Sequence, residues 1–170
     1  MTTLPPGGRS LVTREYPEHP LVGVGGVLIE NSRVLLVRRG SGPLRGEWSI
    51  PGGLLELGET LENAVVRELR EETGLTVRVI ELLEVFEPIF MPPEANAAAG
   101  SLEGTNRPQY HYVILDYLCE CLAGEPVPGS DVTEVAFADE NDLAQFNLTS
   151  AALAVVRKAF AASRSPHPGR

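Results

Sequence analysis

Three carboxylates crowd into five residues at Glu68, Glu71 and Glu72, inside the run Arg67-Glu68-Leu69-Arg70-Glu71-Glu72. If the run is helical, residues advance by roughly 100° each, so Glu68 and Glu72 fall within roughly 20° of Leu61 and beside Ala64 and Val65. That is the apolar face. An amphipathic helix keeps charge off this stripe, because an unpaired carboxylate against a core costs several kcal/mol or takes up a proton. A solvated acidic face, the ordinary reading of paired glutamates, would put them opposite Leu61 and Val65. The spacing therefore calls for a cation. Hard dications take oxygen ligands, and Mg²⁺ in particular is held by a few carboxylates with phosphates and water.

Gly53, five residues, Glu59, seven residues, then Arg67-Glu68-Leu69-Arg70-Glu71-Glu72-Thr73-Gly74-Leu75 resembles the Nudix box, G-x5-E-x7-R-E-U-x-E-E-x-G-U with U aliphatic, at every defined position. A hydrophobic run before the box, Trp48-x-x-Pro51-Gly52-Gly53 leading into it and a strand-loop-strand-helix pattern behind it extend the likeness to about residues 20–160. The resemblance implies an α/β/α sandwich around a mixed sheet. It also implies Mg²⁺- or Mn²⁺-dependent hydrolysis of a diphosphate linkage in a nucleoside diphosphate derivative.

By position in the box, Glu68 and Glu72 are the principal metal ligands, with Glu71, Glu59 and the carbonyl of Gly52 beside them, and Arg67 orients the glutamates. For Arg67 the plainer alternative is a surface pair with Glu71, worth about 0.3–0.5 kcal/mol. For Glu59 it is a charge favoured at a helix N-terminus. The general base is Glu68 or, as in some members, a glutamate from a later loop, where Glu134 stands. Arg39 is a phosphate candidate, Trp48 and Tyr112 are base-stacking candidates, and His111 is a polar contact; packing is the alternative for Trp48 and an ordinary strand position for His111.

ADP-ribose-type members often carry a proline that would fall at Phe90 or Met91, bracketed here by Pro88, Pro92 and Pro93. Members acting on oxidised guanine nucleotides often present an asparagine near the register of Ser150, where Asn147 comes three residues early. ADP-ribose or a related nucleotide sugar leads, a nucleoside triphosphate pyrophosphohydrolase follows, and a non-catalytic nucleotide-sensing domain is the competing class. Intact Arg67, Glu68, Glu71 and Glu72 favour an enzyme.

The rest of the chain must position these groups. At 170 residues it fits one domain. The net charge of -9 opposes a polynucleotide groove, which needs a basic stripe. Yet Arg33, Arg38, Arg39 and Arg45 lie within 13 residues just ahead of the box, enough to hold a small phosphate ester. No apolar run reaches membrane length and the N-terminus has no apolar signal core, so a cytoplasmic protein is expected. Cys119 and Cys121 read as core thiols. The expected partner is a small nucleotide, with no polynucleotide or membrane, and a homodimer is left open.

Residues 1–19 read as a flexible arm, 20–162 as the folded domain and 163–170 as a tail. Leu21 to Ile29 and Arg33 to Arg38 read as strands joined by a turn at Glu30-Asn31-Ser32. Thr60 is the expected N-cap of a helix ending at Thr73, with Gly74 beyond it. Thr76 to Phe86 reads as a strand without clean alternation, 87–108 as a long mobile loop, Gln109 to Cys121 and Val132 to Phe137 as strands, and Leu148 to Ala162 as an amphipathic helix.

Overall fold

The computed structural model describes residues 14–41, 44–92, 107–129 and 131–164. Residues 1–13 of the expected arm, 93–106 at the centre of the expected loop, and 165–170 of the expected tail lie outside them.

Strands β1 (Leu21–Glu30) and β2 (Arg33–Arg39) form an antiparallel hairpin. Its turn residues, Asn31 and Ser32, both have positive φ, 49° and 60°, the twist that matches a two-residue hairpin loop. Two short strands follow. β3 (Trp48–Ser49) pairs with β2, and β4 (Gly52–Leu54) pairs with β1, so the chain leaving the hairpin is stitched back onto both of its strands.

Helix α1 (Leu61–Thr73) starts where the sequence signals it: the Thr60 hydroxyl accepts from the Asn63 N–H. It stops at Gly74, whose φ of 73° lets its N–H reach back to the Arg70 carbonyl. The last carbonyls of the helix also accept bonds from afar, Thr73 from the Val127 N–H and Glu72 from the Gly129 N–H, at 2.9 Å each. Strands β5 (Thr76–Phe86), β6 (Ile89–Phe90), β7 (Tyr110–Ala123) and β8 (Val132–Asp139) follow, then a 3-10 helix (Glu140–Phe146) and helix α2 (Ser150–Arg164). The sheet runs β3-β2-β1-β7-β5, with β8 on β2 and β4 on β1.

By its internal contacts the chain forms two compact units. The smaller comprises Met1–Leu21 and Glu87–Tyr112; in it Ile89 and Phe90 pair with His111 and Tyr110. The larger comprises Val22–Phe86 and Val113–Arg170 and holds the two helices and the sheet.

Alternation along the strands divides its core in two. Leu28, Leu35, Val77 and Tyr117 pack with Ala64, Val65 and Leu69 of α1. Val27, Val34, Leu36 and Leu118 pack with Val155, Val156, Ala159 and Phe160 of α2. This is the expected α/β/α sandwich. Thr76–Phe86 lacked clean alternation because its pairing with β7 shifts register between Val79 and Glu81 and again between Leu82 and Glu84. Each shift resets which side chains face inward. Among the described residues no helix is long and apolar enough to cross a membrane. Cys119 and Cys121 are both free thiols, Cys119 buried.

One strand residue breaks the apolar pattern. Asp116 of β7 is 3% exposed, and burial, with Glu84 nearby, pushes its carboxyl up to about 7 from an ordinary value near 4. The folded state thus favours the protonated acid. Its contribution to stability is complete below about pH 4 and is lost as the pH rises through about 7. Asp116→Asn, neutral at every pH, should therefore raise the melting temperature above about pH 7, by an amount that vanishes toward about pH 4. Thermal melts of both proteins across that range check this, and an equal gain at both ends would refute it.

Candidate active site

The segment between β4 and α1 is tied to the helix by one guanidinium. Arg67 Nε and Nη2 grip the two carboxylate oxygens of Glu59 at 2.9 Å each. Nη2 also donates to the Leu54 carbonyl at 3.0 Å, and Nη1 to Glu68 at 2.7 Å and more loosely to Glu71 at 3.4 Å. All five N–H donors of an arginine are thereby engaged. The pair with Glu71, the basis of the plainer reading, is the weakest of these contacts. The Arg67 hydrogen bonds, first among several influences, hold the Glu59 carboxyl below its usual range.

Phase places the glutamates as the sequence indicates. The Glu68 side chain is 13% exposed and that of Glu71 is 58% exposed. The Glu68 carboxylate lies against Gly53, where a Cβ would come within 2.4 Å of its oxygen. Burial raises the Glu68 carboxyl, against the pull of Arg67. Glu72 turns toward Gly52 and accepts its N–H at 2.8 Å. Burial pushes Glu72 up to about 7, with Glu68 and Asp131 adding to the rise and the Gly52 N–H and Arg39 opposing it. Gly52 itself has no room for a side chain: its φ is 155°, and a Cβ would lie 2.1 Å from the Val24 carbonyl oxygen.

The structure sorts the four clustered arginines. Arg33 lies over the Phe137 ring at 5.4 Å. Arg38 bonds Glu134 directly across the β2–β8 ladder at 2.7 Å and the Gly46 carbonyl at 2.8 Å, on an exposed surface. Arg45 is exposed. Arg39 alone acts on Glu72, and its buried Nε has no hydrogen-bond partner among the described residues. A buried donor left open is costly and suits an anion from outside.

Glu134 is bound to Arg38, whereas Asp131, three residues earlier, adds to the rise of Glu72. Nothing in the residue pattern separated these two acids. Trp48 meets Phe146 edge to face at 5.1 Å and packs against the α2 side of the core. Tyr112 stacks on Tyr110 at 6.3 Å in the smaller unit, where His111 Nε2 bonds Glu87 at 2.8 Å. An open hollow of about 550 Å³ follows the outer side of α1 along Asn63, Val66, Arg67, Arg70 and Glu71, away from Glu68 and Glu72.

The donor set suits a hard dication: carboxylate oxygens, partly desolvated, with burial raising two of them. Among the described residues no three Asp, Glu, His or Cys side chains converge on one point. Glu68 gives one oxygen to Arg67 and Glu72 one to the Gly52 N–H. Mg²⁺ does not require a ready-made cage, because substrate phosphates and water complete its octahedron. The residues therefore fit such an ion in their chemistry.

The NUDIX domain family model matches residues 19–159. An ADP-ribose pyrophosphatase from Methanocaldococcus jannaschii is 35% identical over 125 residues, covering 74% of this chain and 65% of that protein. The chain thus spans slightly less than two thirds of that relative. An 8-oxo-dGTP diphosphatase from Escherichia coli is 33% identical over 106 residues, covering 62% of this chain and 69% of that one. In structure, a MutT NUDIX hydrolase from Burkholderia pseudomallei superposes with a TM-score of 0.64 at 30% identity, covering 83% of this chain and 98% of that one.

Arg67→Met would strand Glu59 and Glu68 beside each other without their shared cation. Breaking a half-buried network by removing one partner should cost about 2–4 kcal/mol in denaturant unfolding. Arg67→Lys should recover less than half of that loss, because an ammonium cannot supply the two-pronged grip on Glu59. A loss below about 0.5 kcal/mol for Arg67→Met would reduce the pairing to surface decoration.

Proposed function

Since this chain belongs to the Nudix family, we propose that it is a Mg²⁺-dependent pyrophosphohydrolase acting on a soluble nucleoside diphosphate derivative, with ADP-ribose or a related nucleotide sugar as substrate. The observation that carries this reading is the inward turn of Glu68 and Glu72, two partly buried carboxyls raised by burial, with Arg39, whose buried Nε has no partner among the described residues, acting on Glu72. The nucleotide is the partner in this reading.

In this reading Glu68 and Glu72 are the principal ligands of the ion, with Glu71, Glu59 and the Gly52 carbonyl as further oxygens. When bound, the dication supplies neutralisation of the diphosphate charge, the dominant requirement of phosphoryl chemistry. The remaining work belongs to side chains. Arg67 fixes the Glu68 carboxylate and, through Glu59, the approach to the helix. Arg39 offers its Nε to a phosphate oxygen, and Glu68 is the base that receives the proton of the attacking water. Glu134 is the alternative base, and it would first have to leave Arg38. Tyr112 is kept as a stacking group, while the contact of Trp48 with Phe146 supports packing for that ring.

A second reading has support in the likeness to the Escherichia coli 8-oxo-dGTP diphosphatase, namely release of pyrophosphate from a nucleoside triphosphate. The two differ in products, since ADP-ribose gives two monophosphates. A nucleotide panel with and without Mg²⁺, assayed by phosphatase-coupled phosphate release, separates them. A triphosphate preferred tenfold in kcat/KM, about 1.4 kcal/mol in the transition state, reverses the order. No turnover of any nucleotide leaves the non-catalytic sensor.

Glu68→Gln and Glu72→Gln should each lower kcat by about 10²-fold or more while circular dichroism stays unchanged, since each removes a ligand charge but keeps the shape. In EDTA each variant should melt no lower than the parent, because neighbouring carboxylates repel. Near-parental activity of both at saturating Mg²⁺ would overturn the ligand assignment.

A further inference from the structure

The placement of Arg39 follows from the strand that carries it. Along β2, Leu35 packs with Phe137 and with Ala64, Val65 and Leu69 of α1, whereas Leu36 packs with residues of α2. Alternation therefore puts Arg39, like Leu35, on the face of the sheet that carries α1. Its backbone is fixed on both sides: its N–H donates to the Glu47 carbonyl at 2.9 Å, and its carbonyl accepts from the Gly46 N–H at 2.8 Å.

The backbone of β8 and the turn before it link this arginine to Glu72. Arg39 lies opposite Val132, whose N–H donates to the Gly129 carbonyl at 3.3 Å. The Gly129 N–H in turn donates to the Glu72 carbonyl at 2.9 Å, and a Cβ on Gly129 would come within 3.0 Å of the Glu72 Cα. In this setting the Arg39 charge pulls on the Glu72 carboxyl against burial, while the buried Nε of Arg39 has no partner among the described residues.

A guanidinium so placed has opposite effects on two ligands. It repels a dication that would share Glu72, roughly twice as strongly as it would repel a single charge at the same distance. It attracts a phosphate, and its open donor gives that phosphate a charge-assisted hydrogen bond. A phosphate seated there neutralises the arginine. The repulsion then falls away without any movement of the chain.

We propose that Arg39 makes metal binding depend on substrate, screening Glu72 from a dication until a phosphate of the nucleotide neutralises the guanidinium. This rests on the reading of Glu72 as a ligand of the ion, and it goes further by giving the site an order: weak metal binding in the free protein, tighter binding once the diphosphate is in place. By linkage, the ion tightens the nucleotide by the same factor.

The test is Mn²⁺ binding, followed by electron paramagnetic resonance of the free ion, in the nucleotide-free protein and again with saturating AMP. It is run at about pH 8.5, above the value of about 7 to which burial pushes Glu72, so that protons do not compete with the ion. Nucleotide-free Arg39→Gln should bind Mn²⁺ at least about threefold more tightly than the parent with circular dichroism unchanged, and Arg39→Met serves where the Gln variant fails to fold. Arg39→Lys, which keeps the charge, and Arg38→Gln, adjacent but paired with Glu134, should stay within about twofold of the parent. AMP should tighten Mn²⁺ binding less in Arg39→Gln than in the parent. An arginine that only held phosphate would leave the nucleotide-free affinity unchanged; that result, or an equal gain in Arg38→Gln, overturns the proposal. Glu72→Gln and turnover in Mg²⁺ separate the two claims. Loss of Mn²⁺ binding in Glu72→Gln with no gain in Arg39→Gln sinks the coupling and spares the ligand assignment, whereas a gain in Arg39→Gln without hydrolysis of any nucleotide keeps the coupling and removes the enzyme. No Mn²⁺ bound by either the parent or Arg39→Gln sinks both.

Discussion

The guanidinium of Arg67 is the joint on which the acidic site depends. Glutamates gathered on one helix face beside apolar neighbours would repel one another and lift that part of the helix from the sheet. Arg67 answers this from inside the same helix, with two prongs on Glu59, one bond to Glu68 and one to the carbonyl that ends β4. It couples a loop, a strand end and a helix through one planar group. The geometry of Glu68 therefore follows from a covalent fact, the fixed fork of an arginine, more than from the packing of the glutamate itself.

Close approach is the second constraint. Helix α1 sits so near the sheet that Leu69 and Val65 fill the space a side chain on Gly26 would need, and Glu68 fills that of Gly53. Without those clearances the helix would ride higher and its inward carboxylates would meet water. Burial then does two things at once. It raises the acids of α1, which a dication can offset, and it raises Asp116 on the far face, which no described residue offsets.

Much of this was legible in the chain. The helix limits followed from Thr60 and Gly74, the hairpin from Asn31 and Ser32, and the inward turn of Glu68 and Glu72 from helical phase alone, because these depend on neighbours within one or two turns. What could not be read depends on register between distant strands. Arg38 and Arg39 are adjacent and chemically alike, and only the pairing of Arg38 with Glu134 commits the first and leaves the second open. The same pairing sets Glu134 against Arg38. The bulges that break the alternation of β5 and the short strands β3 and β4 were likewise invisible, being too brief to carry a period. Asp116 did leave a signal, a lone acid inside the apolar run Val113-Ile114-Leu115-Asp116-Tyr117-Leu118, but such a run does not say which face meets which helix.

The bonds from Val127 and Gly129 to the end of α1 bear on how the molecule comes into being. Helix α1 is complete by Thr73 and its box by Leu75, yet the carbonyls of Glu72 and Thr73 are clasped by residues made more than fifty positions later. Backbone at Gly129 passes so close to the Glu71 carbonyl that no other residue type fits there. During synthesis from the N-terminus, the acidic turn is exposed until nearly the whole sheet has emerged. The chain thus cannot close its most charged corner until Val127 and Gly129 have been made.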